Sequence, residues 1–242
     1  MTKSAVILAA GLGSRLKERT KLQPKGFLEV EGISLIQRSV DNLLKSGIEK
    51  IYIGTGYLSE VYEEYALGYS QIYCIKSDKY ESTSSMYTLY NMRNELKEDF
   101  LLLESDLLYE VNALHALLTD KKEDIVLASG ETKSNDEVYI QTDKESNLVS
   151  MSKIPARLDS LDAELVGISK ISQNRYKMMC QAFEDQDNPK IDYEYIMVQT
   201  TKDEPFYVKK IEDLIWCEID DESHLTRALI NILPKIEEKR YE

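Results

Sequence analysis

Gly11, Gly13, Arg15 and Lys25 stand in the stretch AVILAAGLGSRLKERTKLQPKGFLEVEG, residues 5 to 32. An apolar run ending in glycines leaves consecutive backbone N–H groups free to point at one anion, and the missing Cβ atoms let that anion come close. Arg15 and Lys25 add two cations to the same segment, so the combination reads as a phosphate cradle. It is not the dinucleotide fingerprint, because Arg15 does not supply the third glycine that lets helix and strand pack closely, and no GK[ST] of a P-loop is present. The bland alternative, a tight turn, accounts for the glycines but not for the cations that follow them.

A second set of residues could hold a divalent cation. FLLLESDLLY puts Asp106 directly after an apolar strand, at the carboxyl edge where open α/β sheets bind ligands. Carboxylate oxygens there suit Mg²⁺, with water completing the octahedron. In WCEIDDE, Asp220 ends another strand-like stretch and is a partner carboxylate, although Asp220 or Asp221 equally suits the N-cap of the helix that follows. The histidines, His115 and His224, lie on helical patterns without a partner motif and predict no histidine base.

These residues need a frame, and the hydrophobic pattern supplies one. AVILA, KIYIGTG, QIYCIKS and FLLLESDLLY read as strands, with the helical patterns LIQRSVDNLLKSG, EVYEEYALG and SMYTLYNMRNEL between them. In the first helix, Leu35, Ile36, Val40, Leu43 and Leu44 recur at helical spacing, and Gly47 sits where a C-cap glycine belongs. Alternating strand and helix predicts an α/β fold: a mostly parallel twisted sheet with helices on both faces. After Asp124 the pattern changes. IVLASG, EVYIQTD, LVSMSK and ELVGISKI follow one another closely and predict a small antiparallel extension over residues 130–171, with RYKMMCQAFED, PFYVKKIE and HLTRALINILPKIEE completing the chain.

Composition narrows the partners. The 242 residues read as one domain, 1–242, and 30 basic against 43 acidic side chains give a formal charge of −13 at pH 7. That balance argues against nucleic acid or an anionic membrane as partner, so an anion must be bound locally. Cys74, Cys180 and Cys217 are odd in number and widely spaced, which predicts neither a disulfide framework nor a zinc site and fits a reducing cytoplasm. No segment approaches the roughly 18 apolar residues of a membrane span.

AAGLGSRL followed by PKGFLEV resembles the signature of the sugar-nucleotide and related nucleotidyltransferases, whose GxGxR and PK elements surround the triphosphate of an incoming NTP. Across nearly the whole chain, QPKGFLEV, IEKIYIGTGY, FLLLESDLLY, VLASGETKSNDEVYI, ELVGISKIS and EIDDESHL are similar to the small cytidylyltransferases that load CMP onto phosphocholine or 2-aminoethylphosphonate. TKSNDEVYI and LVGISKI are closer to the aminoethylphosphonate branch, while SSMYTLY resembles the phosphocholine branch.

The resemblance implies a Rossmann-like nucleotidyltransferase fold, CTP and a small zwitterionic phosphonate or phosphate as partners, Mg²⁺ as cofactor, and a monomer or homodimer. Ala9, Ala10, Gly11, Leu12, Gly13 and Ser14 would hold the nucleotide, with Arg15 on the leaving phosphates and Lys25 near the α-phosphate. Gly54, Thr55 and Gly56, the loop residues Thr83, Ser84, Ser85 and Met86, and Glu104 complete the nucleotide site by the same carry-over. The family's E-I-D element, here Glu218-Ile219-Asp220, assigns Asp220 with Asp106 to the metal.

For an aminoalkyl acceptor, Lys133 and Lys153 would meet the phosphonate, and Asp136, Glu137, Glu194 and Glu218 the ammonium. Tyr87, Tyr193, Tyr195 and Trp216 are the aromatics that a quaternary ammonium would require instead. A sugar-1-phosphate nucleotidyltransferase shares the glycine loop but needs a pocket rich in neutral hydrogen-bonding groups. A non-catalytic nucleotide-binding regulator has no use for a transition-state lysine.

Overall fold

The structure is a computed structural model that describes residues 2–134 and 136–239, except the side chain of Lys17. Its first half alternates as the pattern requires. β1 (Ser4–Ala9) is followed by a hairpin of β2 (Glu29–Val30) and β3 (Ile33–Ser34), α1 (Leu35–Lys45), β4 (Lys50–Thr55), α2 (Ser59–Ala66), β5 (Ile72–Lys76) and α3 (Ser85–Asn91). FLLLESDLLY is not one strand but two, β6 (Phe100–Glu104) and β7 (Leu107–Tyr109), before α4 (Asn112–Leu118). The second half holds β8 (Ile125–Ser129), β9 (Tyr139–Thr142), β10 (Leu148–Ser152), β11 (Ala163–Ile171), α5 (Gln173–Glu184), α6 (Tyr193–Thr200), β12 (Tyr207–Ile211), β13 (Trp216–Glu218), α7 (Glu222–Arg227) and α8 (Leu233–Lys239).

Nine strands form one sheet, in which β6, β1, β4 and β5 lie side by side and parallel. β1 sits in the middle and is buried throughout, as its continuous apolar run demands. The alternation of side chains divides the core. Ala5, Ile7, Ile51, Ile53, Leu101 and Leu103 pack with α1, α2 and α4, whereas Val6, Leu8, Phe100 and Leu102 pack with α3, α5 and α6 on the other face. The expected parallel sheet with helices on both faces is therefore present.

α1 starts at Ser34, whose hydroxyl accepts from the Gln37 amide. It stops at Gly47 in the left-handed region, where the Gly47 and Ile48 amides return to the Leu44 and Leu43 carbonyls at 3.1 Å each. The last helical pattern is not a single helix. Pro234 has no N–H for the carbonyl four residues earlier, and the chain opens into a π turn over Ala228–Ile232 between α7 and α8. α6 is an element that the pattern reading did not include.

The section 130–171 is not set apart from the main sheet. β11 runs antiparallel to β6 through Ile168–Ile171, and its first residues pair with β9 instead. The β9–β10 hairpin thus stands beyond the end of β6, as a wall above the carboxyl edge of the parallel strands. A separate ribbon of β7 and β13 closes the opposite side, and a third apolar cluster, including Leu16, Leu28, Leu108, Ile219 and Leu225, lies beneath it.

Candidate active site

The carboxyl ends of β1 and β6, the segment that leads into β9, Lys153 just after β10, the first half of β11, the openings of α3 and α6, and β13 line a cleft of about 510 Å³. Its floor begins where β1 ends. Ala9 and Ala10 lead into Gly11, Leu12 and Gly13, and Gly13 turns left-handed with φ +61° into a tight helical turn over Ser14–Thr20. A Cβ on Gly13 would lie 3.1 Å from Thr20 and 3.3 Å from the Cβ of Lys25, so glycine lets the loop lie directly against the lysine's segment. The Thr20 hydroxyl donates to the Gly13 carbonyl at 3.0 Å and Leu16 buries beneath, fixing the turn.

Both cations of the motif reach one acidic group. Pro24 sets the entry to the turn that carries Lys25, and its ammonium lies between Asp106, at 2.5 Å, and the carboxylate of Asp220. Glu218 stands 3.8 Å away. Arg15 meets Asp220 at 2.7 Å and Asp136 at 2.5 Å and remains half exposed. Burial works against the Lys25 charge, but Asp106, Glu218 and Asp220 outweigh it and hold its pKa above that of an ordinary lysine. For Asp220 burial favours the proton, and the Lys25 ammonium overrides it to hold the carboxyl well below the usual range.

The remaining carboxylates are pushed the other way. β6 ends at Glu104, and Asp106, two residues further in the turn before β7, also faces the cleft. Glu218 and Asp220 alternate with Cys217 and Ile219, which go into the core. Burial, then the Asp106 charge, raises Glu104 to about 7. Burial raises Glu218 well above its ordinary value as well, again with Asp106 adding to it, although 32 % of its side chain still faces the cleft. Glu194, at the start of α6, is raised to about 8 by burial and by Asp192 and Glu104. The Tyr193 hydroxyl donates to Glu104 at 2.7 Å. Gly167, at φ +80° in β11, makes room on the other side, since a Cβ there would lie 2.9 Å from the Glu104 carboxylate.

The donor set fits a hard divalent cation. Glu104, Asp106 and Glu218 each offer an oxygen within 4.8 Å of the others, and one buried oxygen on Asp106 and one on Asp220 lack any hydrogen-bond partner. The helix-cap role falls to Asp221, which accepts from the Ser223 and His224 amides at 2.8 and 2.9 Å. His224 accepts the Asp220 amide on Nδ1 at 3.3 Å and lies 3.2 Å from the Ser134 carbonyl through Nε2, so both ring nitrogens face backbone groups, and the ring steadies the backbone of Asp220.

Ser14, Thr83, Ser84, Ser85, Asp136, Glu137 and Lys153, assigned to ligands by the family resemblance or by their charge, also line the cleft. Other positions differ. Gly54 packs against Met92 and Thr88, Thr55 is fully buried, and Gly56 supports Ala10 and Tyr80 from behind, so these three brace the floor and do not line it. Met86 points into the core. Lys133 is exposed beside Glu131 at 3.6 Å, outside the cleft, because the backbone turns left-handed there and carries its side chain into solvent. Among the aromatic candidates Trp216 lines the cleft, while Tyr87 packs on Phe183 and Tyr193 is buried against Glu104. Asp192, at the cleft edge, was not anticipated, since an aspartate before a helix reads as an ordinary cap.

The sequence and the fold both have known relatives. Residues 5–163 match the MobA-like NTP transferase domain, and the chain belongs to that family of nucleotidyltransferases. It is 26% identical over 246 residues to the CTP:phosphoglutamine cytidylyltransferase of Campylobacter jejuni, covering 92% of this chain and 97% of the relative. It is 29% identical over 105 residues, 43% of each chain, to the 2-aminoethylphosphonate cytidylyltransferase of Lancefieldella rimae. The solved CTP:phosphocholine cytidylyltransferase of Streptococcus pneumoniae shares the fold with a TM-score of 0.78 at 20% identity, over 95% of this chain and 98% of that one. No helix among the described residues is long and apolar enough to cross a membrane.

Proposed function

We propose that the protein transfers CMP from CTP to 2-aminoethylphosphonate and releases pyrophosphate, with Mg²⁺ as its cofactor. The observation that carries this reading is the juxtaposition of Arg15 and Lys25 with Glu104, Glu194 and Glu218 in one cleft. The cations suit a triphosphate, and carboxylates that burial leaves short of charge partners suit a cationic amine.

A phosphonate oxygen of the acceptor attacks the α-phosphorus of CTP, the bond to the bridging oxygen breaks, and that electron pair leaves on pyrophosphate. Loop amides of residues 10–13 and Arg15 hold the leaving phosphates, and Arg15 gives up Asp136 to do so. Lys25 neutralises charge that grows at the α-phosphorus. Asp106 and Asp220, with Glu104 and Glu218 nearby, would hold Mg²⁺, which supplies charge neutralisation and orients the phosphates when bound. Lys153, near Asp136 at 3.7 Å, is the cation left to receive the phosphonate once Lys133 is set aside.

The acceptor amine then meets carboxylates. A primary ammonium donates hydrogen bonds to Glu194 and Glu218, which burial holds protonated until the cation arrives and which release their protons to solvent as it binds, whereas a trimethylammonium has no such donor and relies on aromatic faces. Trp216 at the cleft is the observation that favours phosphocholine as the second reading.

Pyrophosphate release with each NTP against 2-aminoethylphosphonate, phosphocholine, phosphoethanolamine, phosphoglutamine and sugar 1-phosphates tests both levels. CTP should be the productive nucleotide, and 2-aminoethylphosphonate should exceed phosphocholine in kcat/KM by about tenfold or more, equivalent to ~1.4 kcal/mol. Preference for phosphocholine would overturn the acceptor and leave the chemistry standing, whereas preference for another NTP would overturn the cytidylyl assignment itself.

A further inference from the structure

The segment that opens α3 and the segment that opens α6 are joined by hydrogen bonds that cross between them. Asp192 occupies the N-cap position of α6 but makes no capping bond to its own helix. Its carboxylate instead accepts from the Ser84 hydroxyl and, at 3.0 Å, from the Ser85 hydroxyl. Ser85 Oγ in turn accepts the Tyr193 amide at 3.0 Å, so a residue of α3 caps the first turn of α6. The Ser84 amide adds a bond to the Pro189 carbonyl at 3.2 Å. From Tyr193 the chain of contacts reaches Glu104 through the phenol, and the next residue is Glu194.

The two ends of this network serve different parts of the cleft. Thr83, Ser84 and Ser85, with Glu81 beside them, line one region, and the family resemblance gives those three residues to the nucleotide. Glu194 belongs to the region given to the acceptor amine, with Glu104 beside it in the cleft. The loop before α3 is largely exposed and held by local bonds, with Ser82 and Thr83 hydroxyls both donating to the Lys79 carbonyl. An exposed loop loses conformational freedom when a ligand settles on it. Whatever fixes Ser84 and Ser85 also fixes Asp192, the first turn of α6 and, through Tyr193, the position of Glu104.

We propose that Asp192 is a positioning residue that couples the two subsites, so that a nucleotide on the 79–85 loop pre-organises the acceptor wall of α6. The inference rests on that reading of the cleft and extends it from chemistry to order. Bound CTP repels the phosphonate end of the acceptor and attracts its ammonium, and Mg²⁺ screens both, so the share of the coupling carried by the protein is the share that loss of the Asp192 bonds removes. Reciprocity then requires the acceptor to tighten nucleotide binding by the same factor.

The test is titration calorimetry of 2-aminoethylphosphonate, with Mg²⁺ present, in the absence and presence of saturating α,β-methylene CTP. In the unmodified protein the analogue should lower the acceptor Kd by about fivefold or more. Asp192→Ala should reduce that factor to below about twofold, raise both KM values, and leave kcat at saturation within about threefold, because the residue acts on positioning and not on the reacting atoms. Asp192→Asn, whose amide oxygen still accepts the serine hydroxyls, should retain most of the coupling. A Ser84→Ala, Ser85→Ala double variant removes the same bonds from the other side and serves if Asp192→Ala does not fold. A coupling factor undiminished in these variants, or absent from the unmodified protein while both ligands bind, would overturn the proposal alone. Failure of the analogue to bind at all would overturn it together with the reading on which it rests.

Discussion

Under the proposed reaction, Lys25 would serve two sets of anions in turn, its own carboxylates and the α-phosphate. It lies between Asp106 and Asp220, and that pairing keeps a mostly buried ammonium charged. Lys25→Ala should lower kcat by about 10²–10³ with a much smaller rise in the CTP KM, as expected for a group whose partner is transition-state charge. The same variant leaves two carboxylates facing each other without their cation, so thermal melts should fall by roughly 1–3 kcal/mol of stability and recover when Mg²⁺ is added. A drop in CTP affinity at constant kcat would make Lys25 a docking residue only. Glu194 offers a pH signature. Its folded pKa of about 8 exceeds the ordinary carboxylate value, so the folded state keeps a proton that the unfolded chain gives up. Stability from this group is complete at low pH and is lost as pH rises through that value. Between about pH 5 and about pH 7 the unmodified protein should lose on the order of 1–3 kcal/mol more than Glu194→Gln, measured by urea unfolding at each pH. Parallel curves for the two proteins would count against a buried, neutral Glu194.

Among the elements, β11 ties the wall to the sheet, and Gly167 is the point at which it passes Glu104. Gly167→Ala needs a left-handed alanine with its methyl 2.9 Å from the Glu104 carboxylate. It should cost about 1–3 kcal/mol of stability and raise the acceptor KM more than the CTP KM, because Glu104 must move and the phosphate loop need not. Steady-state kinetics with each substrate varied would reveal the asymmetry, and equal rises would place Glu104 with the nucleotide instead. The strands and helices of the first half are legible in sequence because each buries one periodic face. The glycine loop and its two cations are legible because they are close in sequence. What is not legible is long-range. The splitting of FLLLESDLLY into β6 and β7 depends on a partner, β13, whose Glu218 pairs with Leu107. Lys133 reads as a cleft cation until the backbone at that residue turns it outward. Gly54, Thr55 and Gly56 are adjacent to the cleft in sequence logic and behind it in space, because a strand's last residues pack on a helix, here Thr88 and Met92, before the chain reaches the surface. α6 lacks a strong one-sided pattern since both Tyr193 and Glu194 are buried along with Ile196 and Met197.

At the scale of the whole molecule, a formal charge of −13 surrounds a cleft that must admit a polyanion. Far from the site the field opposes CTP, and only within a few ångströms do Arg15 and Lys25 reverse it. Raising KCl from about 20 to about 150 mM at fixed free Mg²⁺ should leave kcat/KM for CTP flat or increase it by up to about threefold, since salt screens the distant repulsion first. A steep decline would mean that the local cations dominate the encounter. The β7–β13 ribbon has a further consequence, for biosynthesis. A ribosome that has completed β12 at Ile211 has specified every strand of the nine-stranded sheet, yet Glu218, Asp220 and His224 have still to be made. Lys25 and Asp106 meet their remaining partners only when the last segment folds back, and that same segment brings Ile219, Leu225, Ile232 and Ile236 to cover Leu16, Leu28 and Leu108. A prematurely terminated chain therefore announces itself twice, as an enzyme without its acidic cluster and as a sticky apolar face of the kind that chaperones and proteases recognise.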